Sequence, residues 1–242
     1  MDRIRAVRRR TCAAINGAYR LVVNPMYSER KIAGVILAAG CSSRMLGLNK
    51  LTVSIEGTPA IVRVCCAALE SALSPVIIVL GHEGEQVRGV LTGGLGARAA
   101  RIRVLVNPRY RDGRLSSVAA GLGAVPASCG AAMFLRGDQP WVTSELIGSL
   151  LDTYRERGAS VAFPVHRGRK GSPTVFGRCH FHRLLALTGD HGTLDLAEEL
   201  WDGAAKLEVD DPRCLMGIDT PEDLRRLLAG EQPSGKCEGD DV

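Results

Sequence analysis

The stretch Ile32-Ala33-Gly34-Val35-Ile36-Leu37-Ala38-Ala39-Gly40-Cys41-Ser42-Ser43-Arg44-Met45-Leu46-Gly47-Leu48-Asn49-Lys50 decides the fold. Residues 32–37 are apolar and β-rich without polar alternation, the pattern of a strand buried on both faces of a parallel sheet. The small residues that follow therefore lie at the carboxyl end of a sheet, where open α/β sheets bind ligands. Small side chains at Ala38, Ala39, Gly40, Ser42 and Ser43 let backbone N–H groups approach an anion. Arg44 and Lys50 add more positive charge than a single carboxylate requires, so a polyphosphate is the expected guest.

Working outward, further apolar runs at 76–80, 102–106, 131–135 and 161–165 alternate with helix-like stretches at 58–73, 83–91 and 144–155. That alternation predicts a three-layer α/β domain: a mostly parallel, Rossmann-like sheet with helices on both faces. The pieces 183–187 and 193–200 read as two helices, and 205–209 as a late strand. The helix at 83–91 is expected to stop near Gly93 and Gly94. Thr220 followed by Pro221, Glu222 and Asp223 is a helix start, with Thr220 as cap and Pro221 in the first turn. The resulting expectation is a basic extension at 1–31, one domain at 32–229 and a polar, Gly-rich tail at 230–242.

Composition excludes several classes. The chain has 242 residues, 45% hydrophobic content and a formal charge of +5. Residues 1–31 hold eight Lys and Arg against two acids, so the rest of the chain is close to neutral. With aromatics at only 4%, the folded body offers neither a basic groove nor a stacking platform for nucleic acid. No run is long and apolar enough to be read as a membrane span. Eight cysteines without a Cys-x-x-Cys pair point to reduced thiols in a cytoplasmic protein. His180 and His182 beside Cys179 read as solvated or capping side chains.

Three further segments carry candidate chemistry. Arg136-Gly137-Asp138-Gln139-Pro140 ends an apolar strand in an acid at the same sheet edge, where a carboxylate beside a polyphosphate suits Mg²⁺. Gly217-Ile218-Asp219-Thr220 places Asp219 ahead of its helix as a second metal-facing carboxylate. In the loop and small-residue helix from Asp112 to Leu122, backbone and hydroxyl groups are candidates to read a base edge, with a capped helix whose Gly121 packs closely on the sheet as the alternative. The P-loop signature is absent. Gly94-Leu-Gly96-Ala-Arg-Ala99 follows a helix and precedes a strand, the wrong order for a dinucleotide fingerprint.

Leu37-Ala-Ala-Gly-x-Ser-Ser-Arg-Met45, Gly137-Asp-Gln-Pro140, Gly189-Asp-His-Gly192 and Asp219-Thr-Pro-Glu-Asp-Leu224, in this order, resemble the MobA-like nucleotidyltransferases that complete the molybdenum cofactor. The resemblance covers about residues 32–228 and implies a fold of the nucleotide-diphospho-sugar transferase type. It implies transfer of CMP from CTP to the phosphate of molybdenum-molybdopterin with release of pyrophosphate. Ala-Ala-Gly is similar to the cytidylyltransferases of the family, whereas Ala-Gly-Gly marks those that use GTP. By resemblance, Leu37, Ala38, Ala39, Gly40, Ser42, Ser43, Arg44 and Lys50 bind the triphosphate, with Gly113 and Ser117 near the cytosine. Arg44, Lys50 and Asp138 carry catalysis, and Asp138 with Asp219 holds Mg²⁺. Gln139, Pro140, Gly171, Pro173, Asp190 and Gly192 face the acceptor. The same implication names a client molybdoenzyme as partner and leaves two alternatives, a sugar or polyol phosphate acceptor and a non-catalytic cofactor carrier. Leu46 stands where relatives carry Gly, so Gly47 is expected to make the turn, and Leu194 replaces a frequent Arg.

Overall fold

The computed structural model describes residues 30–187 and 193–229. The leader up to residue 29, the tail from 230 and the segment containing Asp190 and Gly192 lie outside the described residues. The strands are β1 Ile32–Ala38, β2 Ser54–Ile55, β3 Thr58–Pro59, β4 Val76–Leu80, β5 Ile102–Val106, β6 Ala131–Arg136, β7 Val161–His166, β8 Arg169–Lys170, β9 Thr174–Gly177 and β10 Ala205–Glu208. The helices are α1 Ala60–Glu70, α2 Gly84–Leu95, α3 Arg114–Gly123, α4 Ser144–Glu156, α5 Phe181–Ala186, α6 Thr193–Glu199 and α7 Pro221–Ala229.

The central sheet has the order β10-β7-β9-β6-β1-β4-β5, with β8 as a short hairpin partner of β7. β1 lies parallel between β4 and β6, β5 continues beyond β4, and β10 runs parallel to β7. Mostly parallel pairing with helical crossovers is what the apolar runs require, because each strand must be covered on both faces. Alternation along β1 divides the core. Ile32 and Ile36 point to the layer of α1, α2 and α4, while Ala33 and Val35 point to that of α3, α5 and α6.

β9 is the departure from the expected arrangement. Its four residues insert antiparallel between β6 and β7, and no periodic run marked them in the sequence. A strand this short takes its identity from the two neighbours whose hydrogen-bonding edges it satisfies. The helix α2 also differs, running through Gly93 and Gly94 to Leu95 rather than stopping at them. The cause is packing: a Cβ on Gly94 would sit 2.6 Å from Val62 Cγ2, so this glycine lets α2 press on α1. Gly121 plays the same part for α3, where a Cβ would lie 2.5 Å from Val35 Cγ1.

A third, smaller cluster orients the ligand edge. Met45 from the loop after β1 is fully buried with Ile55, Ala60, Ile218 and Leu227. Burying such a side chain is worth about 1.5–3 kcal/mol. This cluster therefore ties the loop, the β2–β3 hairpin and the start of α7 into one body.

Candidate active site

Four strand ends converge at the carboxyl edge of the sheet. The Gly137 N–H donates to the Leu37 carbonyl at 2.9 Å, joining the exits of β6 and β1. A Cβ on Gly137 would stand 2.8 Å from Ile61 Cδ1 and 3.2 Å from Ala38 Cβ, so only glycine permits this approach. Gly81 after β4 is pressed as closely on Ala39, and the Asn107 N–H after β5 donates to the Leu80 carbonyl at 2.8 Å.

The loop from β1 is a series of turns with no helix behind it; the next helix begins only at Ala60. Ser42 adopts φ +51°, its carbonyl accepts from the Met45 N–H, and its Oγ accepts from the Lys50 N–H at 3.2 Å. Gly40, Cys41, Ser43 and Arg44 face solvent, while Ala38 and Ala39 are buried against the strand ends. Leu46 itself takes a left-handed φ of +52° and Gly47 follows at +87°. The expectation that Gly47 alone makes the turn is thus corrected: two consecutive left-handed residues redirect the chain, with the Leu46 side chain outside at 86% exposure.

That path delivers Lys50 to the centre of the edge. Its Nζ lies 2.5 Å from Asp138 Oδ2 and also pairs with Asp219 Oδ1. Asp219 is brought there by α7. The Asp223 carboxylate accepts from the Thr220 and Asp219 N–H groups at 2.8 and 3.2 Å, while Thr220 Oγ1 accepts from the Asp223 N–H. This reciprocal cap fixes the helix start and leaves the Asp219 side chain directed at β6. The Ile218 N–H donates to the Asp138 carbonyl at 2.9 Å, closing the junction. Arg44, more exposed, reaches Asp219 Oδ1 at 3.8 Å.

Arg136, which reading of the sequence passed over, completes the cluster. Its guanidinium grips Asp138 at 3.1 and 3.2 Å and lies 3.6 Å from Asp219 Oδ2. Burial raises the cost of charge on Asp138, but the Arg136 guanidinium and the Lys50 ammonium together hold its carboxyl below the usual aspartate range. The signal for Arg136 was present: a cation ending an otherwise apolar strand, two residues before an acid. Asn107 is the second residue missed. It is buried, and its Nδ2 donates to Ser116 Oγ and Ser117 Oγ at 2.9 and 3.0 Å.

Other expected site residues fall differently. Gly113 is exposed with φ +99° at the start of α3, whereas Ser117 is buried and its hydroxyl is taken by Asn107 rather than presented to solvent. Gln139, Pro140, Gly171 and Pro173 are all buried. Gln139 donates its amide to the Leu215 carbonyl at 2.7 Å, and the Leu215 side chain covers Gly171. Gln139 and Gly171 therefore lie beneath the segment Pro212–Leu215. The reading of His180 is corrected outright. It is 3% exposed and hydrogen-bonded through Nε2 to Ser160 Oγ at 2.8 Å, because the turn after β9 directs it under the sheet. Among the described residues no group of three or more His, Cys, Asp or Glu side chains converges, so the Asp138–Asp219 pair stands as a pair.

With this geometry in view, comparison with known proteins is decisive. The family model of the MobA-like NTP transferase domain matches residues 34–204. The chain belongs to the MobA-like NTP transferase family. This MobA-like protein is 27% identical to the molybdenum cofactor cytidylyltransferase of Escherichia coli (strain K12) over 205 residues, covering 78% of the chain and 92% of that relative. It is 28% identical over 148 residues to the bifunctional protein GlmU of Sorangium cellulosum (strain So ce56), covering 61% of the chain and 31% of the relative. The chain spans about a quarter to a half of the length of the GlmU proteins it matches. Among solved structures, Rv0371c of Mycobacterium tuberculosis H37Rv superposes with a TM-score of 0.70 at 26% identity, covering 83% of this chain and 98% of that one. The chain accordingly carries a nucleotidyltransferase domain, and its sheet is that of the nucleotide-diphospho-sugar transferase fold. No helix among the described residues is long and apolar enough to cross a membrane.

Proposed function

We propose that the protein transfers CMP from CTP to the terminal phosphate of molybdenum-molybdopterin, releasing pyrophosphate, within a catalytic domain spanning residues 32–229. The observation that carries this reading is the convergence of Lys50, Asp138 and Asp219 beneath the 38–44 loop. Supporting the acceptor is the near full-length match to the Escherichia coli cytidylyltransferase, 92% of whose chain is covered. Supporting CTP is Ala39, which is buried against Gly81 in the Ala-Ala-Gly sequence of the loop.

The residues suit a divalent cation. Asp138 Oδ2 and Asp219 Oδ1 both face one cationic position, the one that the Lys50 ammonium takes. Two hard carboxylate oxygens at one position match Mg²⁺, which binds few protein ligands and completes its shell with water and substrate phosphates. Asp138 and Asp219 would hold the ion, which when bound supplies neutralisation of phosphate charge.

The reaction asks for alignment and charge more than for proton transfer. An acceptor phosphate oxygen attacks the α-phosphorus of CTP, a new P–O–P linkage forms, and the bond from the α-phosphorus to the bridging oxygen breaks. Pyrophosphate leaves with that electron pair. Arg44 stands at the open side of the loop, where it neutralises the triphosphate. Lys50 is close enough to shift from the carboxylates to a phosphate oxygen, and the backbone of Gly40 to Ser43 lines the approach. The acceptor enters over Pro212–Leu215, which covers Gln139 and Gly171.

The test is pyrophosphate release by the purified protein with radiolabelled CTP, Mg²⁺ and molybdenum cofactor, with GTP and UTP in parallel. Label transfer to the cofactor from CTP alone is expected. Transfer only to a sugar or polyol phosphate would install that alternative, and cofactor delivery without turnover would install the carrier reading.

A further inference from the structure

The charged cluster joins two carboxylates through shared cations. Arg136 contacts both Asp138 oxygens and Asp219 Oδ2, and Lys50 contacts Asp138 Oδ2 and Asp219 Oδ1, so both cations touch both carboxylates. The two cations are held differently. Arg136 ends β6, two residues before its partner, and its Nε and Nη2 engage Asp138 as a fork at 3.1 and 3.2 Å. Gly217 makes room for that fork, since a Cβ there would lie 3.0 Å from Arg136 Nη2 and 3.3 Å from Asp138 Oδ1. Lys50 arrives instead from the loop after β1 on a flexible four-carbon stem. A planar fork on a strand keeps its geometry, whereas a point charge on a flexible chain is easily exchanged.

We propose that Arg136 is a positioning residue for the cation site: it stays locked on the carboxylate pair and turns Asp138 Oδ2 and Asp219 Oδ1 toward the divalent cation, which enters by displacing Lys50. The proposal rests on the reading of Asp138 and Asp219 as the cation ligands. It assigns opposite roles to two residues of equal charge in contact with the same two carboxylates. Lys50 competes with the metal, while Arg136 prepares its ligands. A cation whose role is charge alone would oppose metal binding in either place.

The experiment is Mn²⁺ binding to the full chain without nucleotide, followed by electron paramagnetic resonance and calorimetry, with far-ultraviolet circular dichroism as the check on folding. Lys50→Met is expected to tighten Mn²⁺ binding about tenfold or more. Arg136→Met, which removes the same charge, is expected to weaken it, and Arg136→Lys, which keeps the charge but loses the fork, should fail to restore it. If Arg136→Met tightens Mn²⁺ as Lys50→Met does, or if Arg136→Lys behaves as the unaltered protein, the positioning role is wrong. If Lys50→Met leaves binding unchanged, the displacement is wrong. Should Arg136→Met not fold, Arg136→Lys carries the same test. Asp138→Asn in the Lys50→Met background must abolish binding; if it does not, the Asp pair is not the cation site, and that earlier reading fails.

Discussion

Lowering the pH should destabilise the protein through His180 well before its carboxylates protonate. This histidine is buried against Phe176, with its Nε2 on Ser160 Oγ. Burial, with Arg183 and His182 nearby, pushes its pKa down from 6.5 to about 4. Above pH 6.5 the ring is neutral in both folded and unfolded chains, so stability is fully present there. As the pH falls below 6.5 the unfolded chain takes up a proton that the folded chain refuses, and stability declines until about pH 4. Each pH unit in this window costs about 1.4 kcal/mol, giving a loss of about 3 kcal/mol across it. Asp138 is kept ionised by Arg136 and Lys50, so its contribution is lost only as the pH falls below the ordinary aspartate value of 3.8. The assay is urea unfolding at half-unit steps from pH 7.5 to 4, comparing the protein with His180→Gln, which does not titrate and can still meet Ser160. The difference in slope between the two isolates His180. Parallel curves would refute the reasoning.

Three further outcomes are expected. Asp138→Asn and Asp219→Asn should each lower the rate of pyrophosphate release by about 100-fold or more, measured by a coupled phosphate assay, since each removes a charge that the reaction uses. Gly121→Ala should destabilise the fold by about 1–3 kcal/mol in urea unfolding, because the added methyl meets Val35 Cγ1 at 2.5 Å and Val79 Cγ2 at 3.3 Å. Alkylation mapped by mass spectrometry should reach exposed Cys41 and spare buried Cys65, whose thiol burial pushes far up, and CTP with Mg²⁺ should slow the reaction at Cys41.

Much of the fold was legible because strands buried on both faces must be continuous apolar runs: Val76–Leu80 coincides with a fully buried strand, while the run at Ile102–Val106, broken by Arg103, coincides with the half-exposed edge strand. The candidate site was legible in part for a related reason. Strands that run the same way deliver their ends to one edge, so the loop after β1 and the acid after β6 had to be neighbours. β9 was not legible, because four residues carry no period and its place depends on the unfilled gap between β6 and β7. Nor was the burial of Gln139 beneath Leu215, which depends on where a distant turn comes to rest. His180 was misread because a histidine beside a predicted helix start looks the same in sequence whether it faces water or Ser160.

Sequence by itself determined the layers, the edge at which the loop and Asp138 meet, and the family whose motifs this chain carries, because these depend on local period and on residue type. Only the tertiary structure decided the partners of the charges. Lys50 and Asp219 are 169 residues apart, and no local rule relates them. They meet because Met45, Ile55, Ala60, Ile218 and Leu227 share one small core that draws the loop and α7 together. Arg136 becomes part of the site for the same reason: once two carboxylates are brought to one point away from water, the cations within reach must compensate them.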